Sequence, residues 1–263
     1  MQQDYRVFAI HSRLSSLKLV IPIVSPKGGV GKSTISSMLS LALSSRGIAT
    51  GLLDLDITNP VLHIILGIDI QSVKLEETKG IRPLKIAENL EFMSMAFFTR
   101  DALLPLRGSS IVNAIRELLA ITNWNCLVLI VDTPPGLSDE VLELLLLLHT
   151  VNPYSTKPLL VTSQNTLSLI SIKRLLDLIK KEEKIDPLGI ICNMCSNTTP
   201  IQEVTRTYNI EMLGYIPFIQ NFEDILGDVK ALLEYSKRYL RIAVEKINNT
   251  IKLRDLNEDS NRR

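Results

Sequence analysis

The segment SPKGGVGKST, Ser25 to Thr34, most constrains what this chain can fold into. An apolar run of strand length, Leu17 to Val24, precedes it. Ile35, Met38, Leu39, Ala42 and Leu43 follow at helical spacing. A glycine-rich turn between a strand and a helix is the context of a phosphate loop. Gly28, Gly29 and Gly31 let the backbone curl so that its N–H groups, with those of Val30 and Thr34, converge on phosphate oxygens. A helix beginning near Lys32 adds the positive end of its dipole. Lys32 can reach β- and γ-phosphates, and the Ser33 hydroxyl can ligand Mg²⁺. Pro26 stands where the usual pattern begins with glycine.

The rest of the chain repeats the strand–helix alternation. Strands are predicted at Ile48–Leu53, Cys126–Val131, Leu159–Ser163, Leu188–Cys192 and Glu211–Ile216. Helices are predicted at Ser33–Ser45, Ile111–Ile121, Glu140–Leu148, Leu167–Lys181 and Ile201–Tyr208, and over Val229–Leu253 as one helix or two. Apolar strands without alternation belong to a parallel sheet covered on both faces. The expected fold is therefore a doubly wound, mostly parallel α/β sheet of the P-loop NTPase kind. It forms one domain over 1–253, followed by a frayed polar tail, 254–263. Residues 57–107 read as a mixed stretch. Pro22, inside the first strand, removes a ladder donor and predicts a bulge or a locally unpaired position.

Acidic residues close two of these strands. Asp54 and Asp56 end the second in LLDLDITNP, and Asp132 opens DTPPG after the run Cys126–Val131. Ligands of such sheets sit outside the carboxyl ends of the strands, so these carboxylates can meet the phosphate loop. There they can hold Mg²⁺ or orient an attacking water, and Gly136 can move as a switch. Each Asp can equally cap the turn or helix after it.

Composition excludes several classes. Lys+Arg 29 against Asp+Glu 28 leaves a net charge of +1, so no bulk charge drives the chain to nucleic acid or an anionic membrane. With 3 Cys there is no disulfide framework. The run Val141–Leu148 is too short to span a membrane, and the N-terminus lacks the continuous apolar stretch of a signal peptide. The expected location is the cytoplasm.

The loop KGGVGKST, with Lys27 ahead of the glycines, resembles the deviant Walker A motif of the ParA/MinD/Mrp/NifH group of P-loop ATPases. Within that group, several segments are similar to the Mrp/ApbC type. They are DLDITNP (54–60), LRGSSIVNAIRELL (106–119), VDTPPGLSDE (131–140), VTSQNTLSL (161–169), GIICNM (189–194) and LGYIPF (213–218). The resemblance implies a Mg-ATP-dependent ATPase acting as a homodimer with ATP at the interface. It casts Lys27 as a signature lysine reaching the other subunit's phosphates. It places Asp56 near the attacking water and makes Asp132 the Walker B acid, with Ser33, Asp56 and Asp132 around Mg²⁺. It also assigns Asn193 and Pro217 to the nucleotide, Asn193 at the adenine edge. The implied output is iron–sulfur cluster assembly or delivery to an apo-protein or scaffold partner.

The family's CPxC motif is absent from the stretch 195–209. Cys192 and Cys195 form a CxxC at a different place, with Cys192 buried at a strand end and Cys195 open to exposure. Two thiolates per chain give a dimer the four ligands of a cluster. Inert cysteines are the alternative. Two further features keep a ParA/MinD-like positioning ATPase open as a second reading. Lys173, Arg174, Lys180, Lys181 and Lys184 on or near one helix are a DNA patch or a solvated face. Leu240, Val244, Ile247 and Ile251 are a membrane-facing stripe or a docked one.

Overall fold

A computed structural model of the chain describes residues 4–100 and 106–261, except the side chains of 181, 182 and 257–261. The apolar runs become β1 (Leu19–Val24), β2 (Thr50–Asp54), β7 (Val128–Asp132), β8 (Leu159–Thr162), β9 (Gly189–Cys192) and β10 (Met212–Tyr215). The mixed stretch supplies a short ribbon, β3 (Glu77–Thr78) and β4 (Gly80–Ile81), then β5 (Leu84–Ala87) and β6 (Leu90–Ser94). One eight-stranded sheet runs in the order β10-β9-β8-β1-β7-β2-β6-β5. Every pairing in it is parallel except β5 with β6 at the edge. The central strands β1, β2, β7, β8 and β9 are buried on both faces, which is why their sequences do not alternate.

The helices are α1 (Tyr5–Leu14), α2 (Lys32–Ser44), α3 (Leu62–Ile65), α4 (Ala96–Thr99), α5 (Ser109–Ile121), α6 (Asp139–Val151), α7 (Thr166–Leu176), α8 (Thr199–Tyr208), α9 (Val229–Tyr239) and α10 (Arg241–Asn261). A π-helical turn over Asp177–Glu182 extends α7. Right-handed crossovers place α2 on one face of the sheet and α5 to α8 on the other. Contacts follow suit: α9 and α10 pack on α2, and α1 packs on α5 and α6. No described helix is long and apolar enough to cross a membrane.

Pro22 is accommodated by the side it faces. Val20 faces β8, donating to Ser155 O and accepting from Lys157 N, so Pro22, two residues on, faces the same way. Pairing with β8 lapses there, between Val20↔Thr156 and Ile23↔Leu159, while pairing with β7 continues through Pro22↔Val131. The missing donor thus falls in an unpaired interval.

Two chain ends differ from the sequence-based expectation. Residues 5–14 are assigned no element from the sequence, although Val7, Ile10 and Leu14 stand at helical spacing after Asp4, and α1 docks with Ile10 and Leu14 fully buried. Asp4 caps it, held well below the usual carboxylate range, at about 2, by the Arg6 guanidinium. Arg116 of α5 ties the cap down, bonding Asp4 at 3.1 Å and Glu143 of α6. At the other end, α10 runs on through the stretch expected as a polar tail, to Asn261, with Arg254 bonded to Ser155 and Asp255 paired with Lys18 at 3.3 Å; residues 262 and 263 of that tail lie outside the described residues. The stripe Leu240, Val244, Ile247 and Ile251 is buried against the domain, so it is a docked face and not a membrane-facing one.

Gly51 in β2 is required by a close approach. A Cβ there would stand 2.7 Å from the Trp124 ring and 2.9 Å from Cys126 Sγ. Gly51→Ala should overpack this site and cost about 1–3 kcal/mol. Urea denaturation followed by the fluorescence of Trp124, the chain's single tryptophan, measures both the loss and the displaced ring.

Candidate functional site

The loop 25–31 leaves β1 and enters α2 at the carboxyl edge of the sheet. Gly29 and Gly31 take φ of +74° and +85°, a left-handed region that L side chains rarely adopt. Gly31, the residue before α2, is constrained twice. A Cβ on it would lie 2.3 Å from Asn193 Nδ2. That approach exists because Asn193, just past β9, donates from Nδ2 to Val30 O at 2.9 Å. Asn193 also donates its N–H to Thr162 O at 2.8 Å, linking the phosphate loop to the ends of β8 and β9. The Ser25 hydroxyl closes the other side of the loop, donating to Lys27 O at 2.9 Å.

Lys32 opens α2 with only 8% of its surface exposed. Burial lowers its pKa, and the charges of Asp132 and Asp56 oppose that shift. Asp132, at the end of β7, is buried. Its Oδ1 accepts from Ser36 at 2.9 Å, and its Oδ2 is enclosed without a partner. Burial raises its pKa to about 6 against the Ser33 and Ser36 hydroxyls and the Lys32 charge, which favour the anion. Asp54 lies directly across the ladder from Asp132. It accepts from Asp56 N and from the Ser94 hydroxyl, both at 3.1 Å. Burial first, then the neighbouring carboxylates, push its pKa well up, and no cation offsets them. Both members of the facing pair are pushed toward their neutral forms by burial, and Asp132 is held nearer its charged form by hydroxyls and a cation that Asp54 does not have. Asp56 is partly exposed. Its Oδ1 accepts from Thr58 Oγ1 at 3.1 Å and Asn59 N at 3.2 Å, and burial still raises its pKa.

The fold therefore brings Lys32, Ser33, Asp56 and Asp132 to one end of the sheet. The orphaned Asp132 Oδ2 beside the Ser33 hydroxyl fits a hard divalent cation, which uses few protein oxygens and completes its shell with water and phosphate. Lys27 is partly buried, and its ammonium has no hydrogen-bond or ion-pair partner among the described residues. Beside the loop, a cleft of about 160 Å³ is lined by Gly29, Gly31, Thr34, Met38, Asn193, Met194, Ile216, Pro217 and Phe218, among others. Its apolar walls and convergent amides suit the base of a nucleotide. Ser36 and Ser94 were not singled out from the sequence. Ser36 had a signal in its spacing, since it lies one helical turn after Lys32 and so on the same face. Ser94 had none, because its meeting with Asp54 depends on β6 pairing with β2.

The CxxC departs from the reading that made it a pair of cluster ligands. Cys195 is fully buried like Cys192, and the two are joined in a disulfide. The reason is the turn after β9, which folds Cys195 back against the strand end. In this state neither sulfur is a thiolate able to ligate iron, and no cluster of three or more His, Cys, Asp or Glu suited to a metal occurs among the described residues. Cys126 is a buried packing residue whose thiol pKa is raised by burial.

Comparison with known proteins agrees with this arrangement. Residues 16–252 match the family model ParA, described as NUBPL iron-transfer P-loop NTPase. The chain is 32% identical over 249 residues to a cytosolic Fe-S cluster assembly factor NUBP2 homolog of Monosiga brevicollis, covering 86% of this chain and 87% of that protein. It is 30% identical over 270 residues to an iron-sulfur cluster carrier protein of Methanocaldococcus jannaschii, covering 94% and 90%. In structure it resembles a nucleotide-binding protein of Archaeoglobus fulgidus solved with ADP, at a TM-score of 0.67 and 24% identity over 87% of this chain and 93% of that one. The cell division ATPase MinD of Pyrococcus furiosus shares the fold at a TM-score of 0.64 and 19% identity, over 89% and 99%. With the phosphate loop, the buried acid after β7 and a family match over nearly the whole chain, this protein belongs to the ParA family of NUBPL-type iron-transfer P-loop NTPases.

Proposed function

We propose that the chain is a Mg-ATP-dependent ATPase of the Mrp type, working in the cytoplasm as a homodimer whose nucleotide cycle drives iron–sulfur cluster assembly or transfer. The observation that carries this reading is the convergence of the glycine loop, the buried Lys32 and the half-satisfied Asp132 at one sheet edge. Loop N–H groups and Lys32 would bind the β- and γ-phosphates. Ser33 and Asp132, with Asp56 nearby, would hold Mg²⁺, which when bound supplies charge neutralisation to the phosphates. Asp56 would orient the attacking water. Asn193, with Nδ2 engaged at Val30, keeps its Oδ1 for the amino group of adenine, and Pro217 would flank the base. The unpartnered Lys27 ammonium supports a role across a dimer interface, on the partner's phosphates.

The cluster would be cargo, received from or delivered to an iron–sulfur apo-protein or scaffold partner. With Cys192 and Cys195 still joined, shown by one titratable thiol per chain after the incubation, the chain alone should take up no stoichiometric iron when incubated anaerobically with iron and sulfide. Iron per chain and the visible spectrum check this. The reading as a DNA- or membrane-bound positioning switch draws less support. Lys173 pairs with Glu203 at 3.7 Å, and Lys180 donates to Tyr208 O at 2.8 Å, so two of the five basic residues serve the fold. The side chain of Lys181 lies outside the described residues.

Lys32→Ala should lower ATP turnover by at least about 10²–10³-fold, the scale of losing one preorganised charge donor. Phosphate release with Mg-ATP measures it, and unchanged turnover would sink the assignment. Asp132→Asn should also abolish turnover, yet it should change stability in the opposite sense. Between the ordinary pKa of 3.8 and about 6, the folded chain holds a proton on Asp132 that the unfolded chain has released. The nucleotide-free protein therefore loses stability as pH rises through that window. Asp132→Asn should flatten this slope and raise the Tm at pH 7.5 relative to wild type, while the two proteins converge near pH 4. Thermal unfolding without nucleotide across pH 4–7.5 tests both signs.

A further inference from the structure

Cys192 and Cys195 bracket the two residues, Asn193 and Met194, that form one wall of the cleft. Cys192 ends β9, and its carbonyl accepts from Ile216 N at 2.9 Å. The N–H of Cys195 donates to Ile216 O at 3.0 Å. The bridge thus closes a small covalent ring over Asn193–Met194, clipped on both sides to Ile216, itself a cleft residue. Inside that ring Met194 takes φ of +55°, uncommon for a residue with a side chain. Asn193 reaches from the same ring to Val30 O in the phosphate loop. Both cysteines have 0% of their surface exposed. The pair is therefore not a surface cross-link, and what it constrains is the cleft wall.

We propose that Cys192 and Cys195 are a redox-active pair whose state sets the nucleotide affinity of the adjoining cleft. The coupling rests on the nucleotide reading of that cleft given above. A small-molecule dithiol reduces the pair: its thiolate attacks one sulfur, and the other leaves as a thiolate and takes up a proton. The reagent's second thiolate then attacks the mixed disulfide. The protein gains two electrons and two protons, and the reagent becomes a cyclic disulfide. The reverse reaction uses a low-molecular-weight disulfide as oxidant. With the ring open, the 193–194 turn is free to leave its left-handed conformation, and the amide contact to Val30 loses its fixed support. The closed ring presents the wall already ordered, so the disulfide form binds nucleotide more tightly. Both sulfurs are fully enclosed, so the reagent reaches them only when the 193–194 turn opens, and nucleotide bound against that turn should slow their reduction.

Linkage makes the coupling measurable from both sides. A ligand that prefers the disulfide form must lower the midpoint potential of the pair by the same free energy. We would poise the full chain in dithiothreitol redox buffers and count thiols in denaturant, expecting three in the reduced form and one, Cys126, in the oxidised form. ADP binding to each form would be measured by calorimetry. The expected result is roughly tenfold tighter ADP binding by the oxidised form, with a midpoint potential about 30 mV lower in saturating ADP. Cys195→Ser should bind ADP as the reduced form does, whatever the buffer. Three thiols at every potential, or equal Kd values in the two forms, would overturn the proposal. If neither form binds ADP, the nucleotide reading fails with it. A measured thiol–disulfide midpoint unmoved by ADP, with ADP bound, defeats only the coupling.

Discussion

The placement of a single cation among carboxyl groups governs the carboxyl edge of this sheet. Asp54 and Asp132 face each other across the β2–β7 ladder, both buried, with Asp56 close by. Such groups cannot all ionise in a poorly solvated place. The Ser33 and Ser36 hydroxyls first, and then the charge of Lys32 at the start of α2, hold Asp132 nearer its charged form against that burial. Asp54, lacking a cation, takes the protonated role and knits β2 to β6 through Ser94.

The loop itself is shaped by what is absent from Gly31. Its positive φ and its contact with Asn193 leave no room for a side chain. The same contact joins two distant parts of the chain: the first strand–helix turn and the turn after β9. Everything on the cleft side depends on that second turn, where Asn193, Met194, Cys195 and Ile216 are held by main-chain bonds and by the disulfide. The phosphate loop is thus built by residues near one another in sequence, whereas the acids beside it and the base end are brought in from residues far apart.

That difference explains which parts were legible from the sequence. The glycines, Lys32 and Ser33 announce themselves because a phosphate loop is a local object, specified by backbone freedom and one helix start. Asp54 and Asp132 were legible because strand ends in a parallel sheet share an edge. The central strands were readable from unbroken apolar runs. β5 and β6 were not separated from the mixed stretch, and α1 was missed. Its stripe Val7, Ile10 and Leu14 has helical spacing behind the Asp4 cap and could have been read; what buries it, α5 and α6, lies about a hundred residues away.

The sequence by itself determined the doubly wound fold, the phosphate loop and the acids at the strand ends, because periodicity and glycine placement act over a few residues. Only the tertiary structure decided the state of the CxxC. From spacing alone, Cys195 was as free to be an exposed ligand as a buried partner of Cys192. Its burial follows from the turn after β9 being clipped to Ile216, a contact that exists only once β9 and β10 lie side by side. The tertiary structure likewise decided how far each acid is pushed toward its neutral form, since that rests on solvent exclusion by the packed sheet and on which hydroxyls and charges the fold brings to it. Neither quantity is encoded in any short stretch of chain.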